Sequence, residues 1–123
     1  MKKLLIIEYD SGIRENLIEF LELYGYHVFA VTNGKDGIEC LPVFLPDLII
    51  CDVIMPVMDG YQVFSSIFSH LHKNKVPFIF CSTKSEKKDH LEGIGLGAND
   101  YIIKPFELDI LLTSVRACLQ VVA

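Results

Sequence analysis

The chain has 123 residues, 16 acidic and 11 basic side chains, a formal net charge of −5 and a hydrophobic fraction of 51%. This length is typical of one domain, and the apolar content is enough for a packed core, which excludes a disordered chain. The acidic balance argues against nucleic-acid binding through bulk electrostatics. The four cysteines form no CxxC pair, and no signal peptide or membrane-length apolar run is visible, so we expect a protein of the reducing cytoplasm that spans no membrane.

Five short apolar runs predict strands at residues 4–7, 28–31, 48–51, 78–81 and 101–103, and the first and third of these runs are typical of buried strands. Stretches with helical spacing of apolar residues follow each run. They begin at about residues 11, 35, 60, 86 and 107. Five β-α units in regular alternation predict an α/β domain, in which a parallel sheet carries helices on both faces.

Residues with strong local preferences mark the helix ends. Gly25 is placed to take the left-handed position after the first helix. Pro42 is expected to end or kink the second helix early. Asp59 and Gln62 have the spacing of a capping box at the start of the third helix.

Polar side chains close four of the predicted strands. Glu8 follows the first strand, Asp52 the third, Ser82 the fourth and Lys104 the fifth. The carboxyl ends of parallel strands meet at one edge of a sheet, where ligands bind in open α/β folds. Singly, each residue has an ordinary structural explanation, but together they suit phosphoryl transfer to a carboxylate. Asp52 would act as the nucleophile, and a divalent cation would offset the phosphoryl charge.

The stretch PDLIICDVIMPVMDG, at 46–60, resembles the centre of the receiver domains of bacterial two-component response regulators. Asp52 matches the phospho-accepting aspartate of that family, and 55–60 matches its M-P-x-M-D-G loop. Ser82 matches the switch hydroxyl, Tyr101 the switch aromatic residue, and Lys104 the lysine of the K-P-F signature. The resemblance covers nearly the whole chain, so residues 1–123 are interpreted as one receiver domain with no output domain following.

The resemblance implies a flavodoxin-like (βα)5 fold with strand order 2-1-3-4-5 and a cis Lys104-Pro105 bond. It implies that Asp52 accepts a phosphoryl group from a sensor histidine kinase or a phosphotransfer protein. Mg²⁺ would be held by Glu8, Asp52 and the backbone carbonyl of Ile54. The chain would be a self-phosphorylating acceptor with slow autodephosphorylation at most, not an enzyme acting on other substrates.

Tyr9 departs from the family pattern. Receivers usually have two adjacent acids after the first strand, and the second is the direct metal ligand; here that position is tyrosine, whose neutral phenol is a poor Mg²⁺ ligand. Asp10 follows and could substitute, or it could be committed to capping the first helix. The alternative interpretation is therefore a pseudo-receiver, which binds a protein partner without phosphorylation.

The same resemblance implies how a phosphorylation would be transmitted. Phosphorylated Asp52 would draw Ser82 toward it, Tyr101 would rotate inward, and the face formed by the fourth helix, fifth strand and fifth helix would change its contacts with a downstream protein. Gly93 and Gly95 weaken the fourth helix, which favours its response to a small bias. Charges of both signs on this face would suit a homodimer. They belong to Lys87, Lys88, Glu92, Asp100, Asp109 and Arg116.

Two other functions of the same topology are disfavoured. An aspartate-nucleophile phosphatase needs a second acid two residues after the nucleophile, where this chain has Ile54. A flavin carrier needs a phosphate-binding loop rich in Ser and Thr after the first strand, which is lacking here.

Overall fold

The computed structural model describes residues 1–84 and 87–121. One parallel sheet has the order β2-β1-β3-β4-β5, which confirms the flavodoxin-like order that the family resemblance implies. Its strands are β1 (Lys3–Ile7), β2 (His27–Val31), β3 (Leu48–Asp52), β4 (Phe78–Ser82) and β5 (Asp100–Ile103). In the described part of the chain the helices are α1 (Ser11–Leu23), α2 (Gly34–Phe44), α3 (Gly60–Ser66), α4 (Phe68–Asn74), α5 (Lys87–Leu96) and α6 (Leu108–Val121).

The central strands β1, β3 and β4 are buried on both faces of the sheet, which explains why their sequences are continuous apolar runs, whereas the edge strand β2 has no buried residue. One face packs under α1 and α6, with Leu17 and Leu111 in its core. The other face packs under α2, α3, α4 and α5, with Val63 and Phe64 in its core. Every residue of β3 is buried, and Asp52 is its last residue. Asp52 therefore lies at the carboxyl edge of the sheet.

The predicted helix caps are present. Gly25 has a φ of +89° directly after the C-terminal end of α1. At the start of α3, Asp59 Oδ1 accepts a hydrogen bond from Gln62 N, and Gln62 Oε1 accepts one from Asp59 N, both at 2.9 Å. This capping box fixes the point at which the loop after β3 enters the helix.

Pro42 does not end α2 early, which contradicts the first of the two outcomes predicted for it, whereas the kink stays a prediction. The helix continues to Phe44, and Leu45 closes it in a left-handed conformation with its N–H bonded to the Leu41 carbonyl at 3.0 Å. A proline in the last turn removes only its own N–H from the hydrogen-bond ladder, so two further residues can remain helical.

The predicted third helix is divided into α3 and α4 at Ile67, where the backbone has φ −112° and ψ 11°. Hydrogen bonds from Ile67 N to Val63 O and from Leu71 N to Ile67 O continue across the division. The buried side chains stay on one face, so apolar periodicity could not reveal the break. The predicted start of the next helix, Glu86, lies outside the described residues. Within 1–84 and 87–121, none of the helices has the length and apolar character needed to traverse a bilayer.

Candidate functional site

The carboxyl ends of β1, β3, β4 and β5 meet at one edge of the sheet. Asp52 is the last residue of β3, is 7% exposed, and is paired in register with Cys81 of β4. Ser82, the next residue of β4, is fully buried. Glu8 follows β1 directly and is 2% exposed. The sheet thus places the predicted site residues side by side on neighbouring strands.

Lys104 links the two acids of the site. Its Nζ donates a hydrogen bond to Glu8 Oε1 at 2.7 Å and lies 3.3 Å from Asp52 Oδ1. Its backbone N–H donates to the Ser82 carbonyl at 2.8 Å, which extends the pairing of β4 with β5 to the edge. The Lys104-Pro105 peptide bond is cis, as the resemblance implied. The contacts of Nζ with the two acids place the lysine side chain over the strand ends rather than in solvent.

The charges of Glu8, Asp52 and Lys104 influence the pKa values of the site. Burial, the charge of Glu8 and a side-chain hydrogen bond with Glu8 raise the pKa of Asp52 from 3.8 to about 6, against the opposing effect of Lys104. Burial alone would lower the pKa of Lys104, but its hydrogen bond with Glu8 and the charges of both acids raise it. At neutral pH Asp52 is thus a carboxylate of increased basicity beside a protonated ammonium.

The loop after β1 is held by local hydrogen bonds. Glu8 Oε2 accepts from the backbone N–H of Asp10 at 3.1 Å, and Asp10 Oδ1 accepts from Ile13 N at 2.9 Å, so Asp10 caps α1. Arg14 Nη1 donates to the carbonyls of Glu8 and Tyr9 at 3.0 and 3.3 Å. The Tyr9 side chain is 58% exposed. The position that is usually a metal-binding acid therefore carries an outward-facing phenol.

The residues present fit a magnesium ion that retains much of its water shell. Glu8 and Asp52 provide two buried carboxylates, and the Ile54 carbonyl, two residues after Asp52, is the third oxygen donor that the family resemblance implies. Mg²⁺ is commonly bound by one or two carboxylates together with waters and phosphate oxygens. A cage made of protein side chains does not fit, since the described residues contain no group of three or more His, Cys, Asp and Glu side chains suited to a metal.

The loop from β3 to α3 forms an apolar rim beside Asp52. Ile54 is 52% exposed, and the side chain of Val57 is fully exposed. Val57 also has a φ of 70°, in the left-handed region that β-branched residues rarely adopt. This strained residue lies in the loop that joins the acceptor to α3.

The predicted switch residues are linked through one loop residue. Tyr101 is 4% exposed, and its hydroxyl donates to the Lys84 carbonyl at 3.0 Å. The backbone N–H of Lys84 in turn donates to Ser82 Oγ at 3.0 Å. The ring of Tyr101 thus lies inward in this structure, and a two-bond path connects it to the hydroxyl beside the acceptor.

Asp100 and Arg116, two charged residues of the predicted dimerisation face, contact other side chains of the same chain. Asp100 Oδ2 accepts a hydrogen bond from Ser114, and the Arg116 guanidinium lies 5.4 Å from the centroid of the Tyr24 ring. Dimerisation through this face stays a prediction.

Sequence reasoning missed Arg14 and Lys84. A cation in the first turn of α1 is unfavourable with respect to the helix dipole, and this placement of Arg14 was a signal that it serves the preceding loop. Lys84 offered no signal, because its backbone atoms make the contacts that link Tyr101 with Ser82.

Comparisons with known proteins agree with this geometry. The family model described as response regulator receiver domain matches residues 4–116. The transcriptional regulatory protein PcoR of Escherichia coli is 35% identical over 120 residues, which cover 98% of this chain and 52% of that protein. The chain spans about half the length of the curated relatives that it matches.

Solved structures show the same architecture. A two-component response regulator from Clostridium difficile has a TM-score of 0.89 at 28% identity, covering 98% of this chain and 97% of that chain. The Francisella response regulator 1452 receiver domain has a TM-score of 0.92 over the full length of both chains, and at 24% identity it supports the fold alone. With the family model matched over most of its length, this chain belongs to the receiver domains of two-component response regulators.

Proposed function

We propose that this receiver domain accepts a phosphoryl group on Asp52 from the phosphohistidine of a sensor histidine kinase or a phosphotransfer protein. The observation that carries the proposal is the position of the Asp52 carboxylate, buried at the end of β3 with the Lys104 ammonium 3.3 Å away. A cation at that distance can hold a phosphoryl oxygen next to the attacking carboxylate without itself reacting.

The transfer forms a bond between an Asp52 carboxylate oxygen and phosphorus as the bond from phosphorus to the donor's imidazole nitrogen breaks. The electron pair of the broken bond stays on the imidazole, so no proton needs to leave Asp52 when it is ionised. A pKa of about 6 leaves most of this carboxylate ionised at neutral pH while increasing its basicity. The product is an acyl phosphate, to which Lys104 and the Ser82 hydroxyl can offer hydrogen bonds.

Magnesium is proposed as the cofactor. Glu8, Asp52 and the Ile54 carbonyl would hold the ion, which when bound neutralises charge on the phosphoryl oxygens. Tyr9 contributes no ligand in this proposal, and Asp10 stays in its cap on α1. The site therefore has fewer acidic ligands than most receivers, and we expect weaker Mg²⁺ binding than in a receiver with the usual pair of adjacent acids.

The phosphorylated domain is proposed to act through protein contacts on the face formed by α5, β5 and α6. The path from Ser82 through Lys84 to Tyr101 supports this route, because Tyr101 lies beneath α5. The downstream partner is proposed to be an effector domain or protein, since relatives twice as long include transcriptional regulators. A homodimer through the same face is one form that this output could take.

The test is intact-mass spectrometry after incubation with acetyl phosphate and Mg²⁺. We expect a mass increase of one phosphoryl group, which is absent in Asp52→Asn and absent when EDTA is added. The variant is a matched control because asparagine has nearly the shape of aspartate but cannot form the acyl phosphate.

Labelling of Asp52→Asn to the same extent would place the phosphoryl group elsewhere and overturn the assignment. If no adduct forms under conditions that label a receiver with two adjacent acids, the domain acts as a phosphorylation-independent binding module. Partner binding should then be measured on the unmodified protein.

A further inference from the structure

Helix α5 contacts the sheet in an unusual way. Of its ten residues, Gly93 is the one that is buried. Its large apolar residues are partly exposed, with Leu91 at 58% and both Ile94 and Leu96 at 37%. An amphipathic surface helix normally packs a stripe of large side chains on the sheet. Here the close contact is made by the residue that has no side chain.

The space beside Gly93 is filled by the ring of Tyr101. A Cβ atom built at Gly93 would lie 2.7 Å from Tyr101 Cδ2, 3.2 Å from Tyr101 Cε2 and 3.1 Å from Phe80 Cδ2. Carbon atoms in good contact are separated by about 3.5–4.0 Å. The inward ring and a side chain at position 93 therefore cannot occupy their places together.

The ring is also fixed on its other sides. Its centroid lies 5.4 Å from that of the His90 ring and 6.2 Å from that of Phe80. Its hydroxyl donates to the Lys84 carbonyl, and the Lys84 N–H donates to Ser82 Oγ. A displacement of the ring would thus break a hydrogen bond to the loop that is bonded to Ser82.

We propose that Gly93 is a positioning residue for the receiver switch: the missing side chain at position 93 admits the Tyr101 ring beneath α5 and so ties this helix to the loop beside Ser82. Larger residues at position 93 drive the ring outward and disconnect α5 from the strand ends. The link to phosphorylation rests on the function proposed above, whereas the inward position of the ring does not.

The chain offers a matched control on the same helix. A Cβ atom built at Gly95 meets nothing within 4 Å. Both Gly93→Ala and Gly95→Ala raise the helix propensity of α5 by the same amount. They differ because only Gly93→Ala introduces an atom beside Tyr101. Neither glycine belongs to the proposed phosphorylation site.

The experiment is nitration of the tyrosines with tetranitromethane, followed by peptide mass spectrometry to measure the rate at Tyr101. Tyr9 and Tyr24 are 58% and 51% exposed and serve as internal references. We expect Gly93→Ala to nitrate Tyr101 about tenfold faster, since overpacking of this size shifts the inward–outward equilibrium by about 1.4 kcal/mol. Gly95→Ala is expected to leave the rate unchanged.

A second measurement tests whether Tyr101 or Phe80 is the residue that clashes with a side chain at position 93. In a Tyr101→Leu background, Gly93→Ala should no longer lower the midpoint of thermal unfolding relative to Gly95→Ala. The inference is overturned if Gly93→Ala leaves Tyr101 nitration unchanged, or if its cost is the same in both backgrounds. Incubation of the parent chain and the same variants with acetyl phosphate tests phosphorylation of Asp52 separately. If the parent chain is not labelled, the proposed function is contradicted, but the role of Gly93 in positioning Tyr101 is not.

Discussion

Lys104 and Glu8 form an ion pair of 2.7 Å between residues that are 96 positions apart in the chain. The side chains are 10% and 3% exposed, so little water screens the pair. The lysine is 3.3 Å from Asp52, and it is therefore the shared counter-ion of two buried acids. The charge balance of the whole site depends on this one ammonium.

We expect Lys104→Gln to lower the free energy of unfolding by about 3 kcal/mol at neutral pH, because it leaves two buried carboxylates without a cation. The loss should shrink at lower pH, where protonation of Asp52 relieves its repulsion with Glu8. Urea unfolding at pH values on both sides of the Asp52 pKa measures both effects. An equal loss at every pH would show that Lys104 contributes packing rather than charge.

Asp52→Asn is expected to stabilise the domain at neutral pH. The pKa of Asp52 is raised from 3.8 to about 6 by folding, so the ionised carboxylate is disfavoured in the folded state. This cost is absent below the lower value, grows as pH rises between the two, and is fully present above about 6. We expect a gain on the order of 1 kcal/mol, after allowance for solvent at the sheet edge.

Thermal unfolding of the parent chain and of Asp52→Asn, at a pH below and a pH above this interval, provides the comparison. The difference between the two proteins should increase with pH and then become constant. A difference that falls with rising pH would mean that the carboxylate is stabilised by Lys104 more than it is destabilised by burial and Glu8.

Tyr9→Asp is expected to strengthen Mg²⁺ binding about tenfold, because it restores a carboxylate beside Glu8. The side chain of Tyr9 is 58% exposed, so its removal should cost little packing. Isothermal titration calorimetry with Mg²⁺ measures the change, and Tyr9→Asn is the control for loss of the ring. Equal affinities of the parent chain and both variants would show that position 9 does not reach the metal.

Val57→Asn is expected to stabilise the fold by about 1 kcal/mol, since asparagine tolerates the left-handed conformation better than a β-branched residue. Val57 has a φ of 70° and a fully exposed side chain, so the exchange removes strain without losing buried contacts. Urea unfolding gives the difference. Val43→Asn is the matched control, because Val43 is also exposed but lies within α2, and it should gain nothing.

The strands of the sheet were predicted well from the sequence, because strands such as β3 and β4 that are buried on both faces consist of uninterrupted apolar residues. Their apolar runs are buried on both faces, and the order of the strands follows from the family resemblance. Prediction from the sequence failed where a local rule was overridden: Pro42 is tolerated in the last turn of α2, and the break at Ile67 leaves the apolar pattern intact. The end of α2 and the break between α3 and α4 depend on which backbone hydrogen bonds are formed, and the pattern of side chains in the sequence does not indicate this.

The site was predictable as far as it consists of side chains at strand ends. Glu8, Asp52 and Lys104 could be placed at one edge because parallel strands share their direction. The link from Tyr101 to Ser82 could not be foreseen, because it runs through backbone atoms of Lys84. The role of Gly93 was also hidden, since a glycine in a helix indicates weak helix propensity and says nothing about the ring that fills its place.

The strand order has a consequence for the protein during its synthesis. Asp52 and Glu8 emerge from the ribosome well before Lys104, which follows the edge strand β5. The three charged side chains of the site therefore come together only once β5 has been added to the sheet. For the function proposed above, the acceptor site is complete only after Lys104 has joined the two acids.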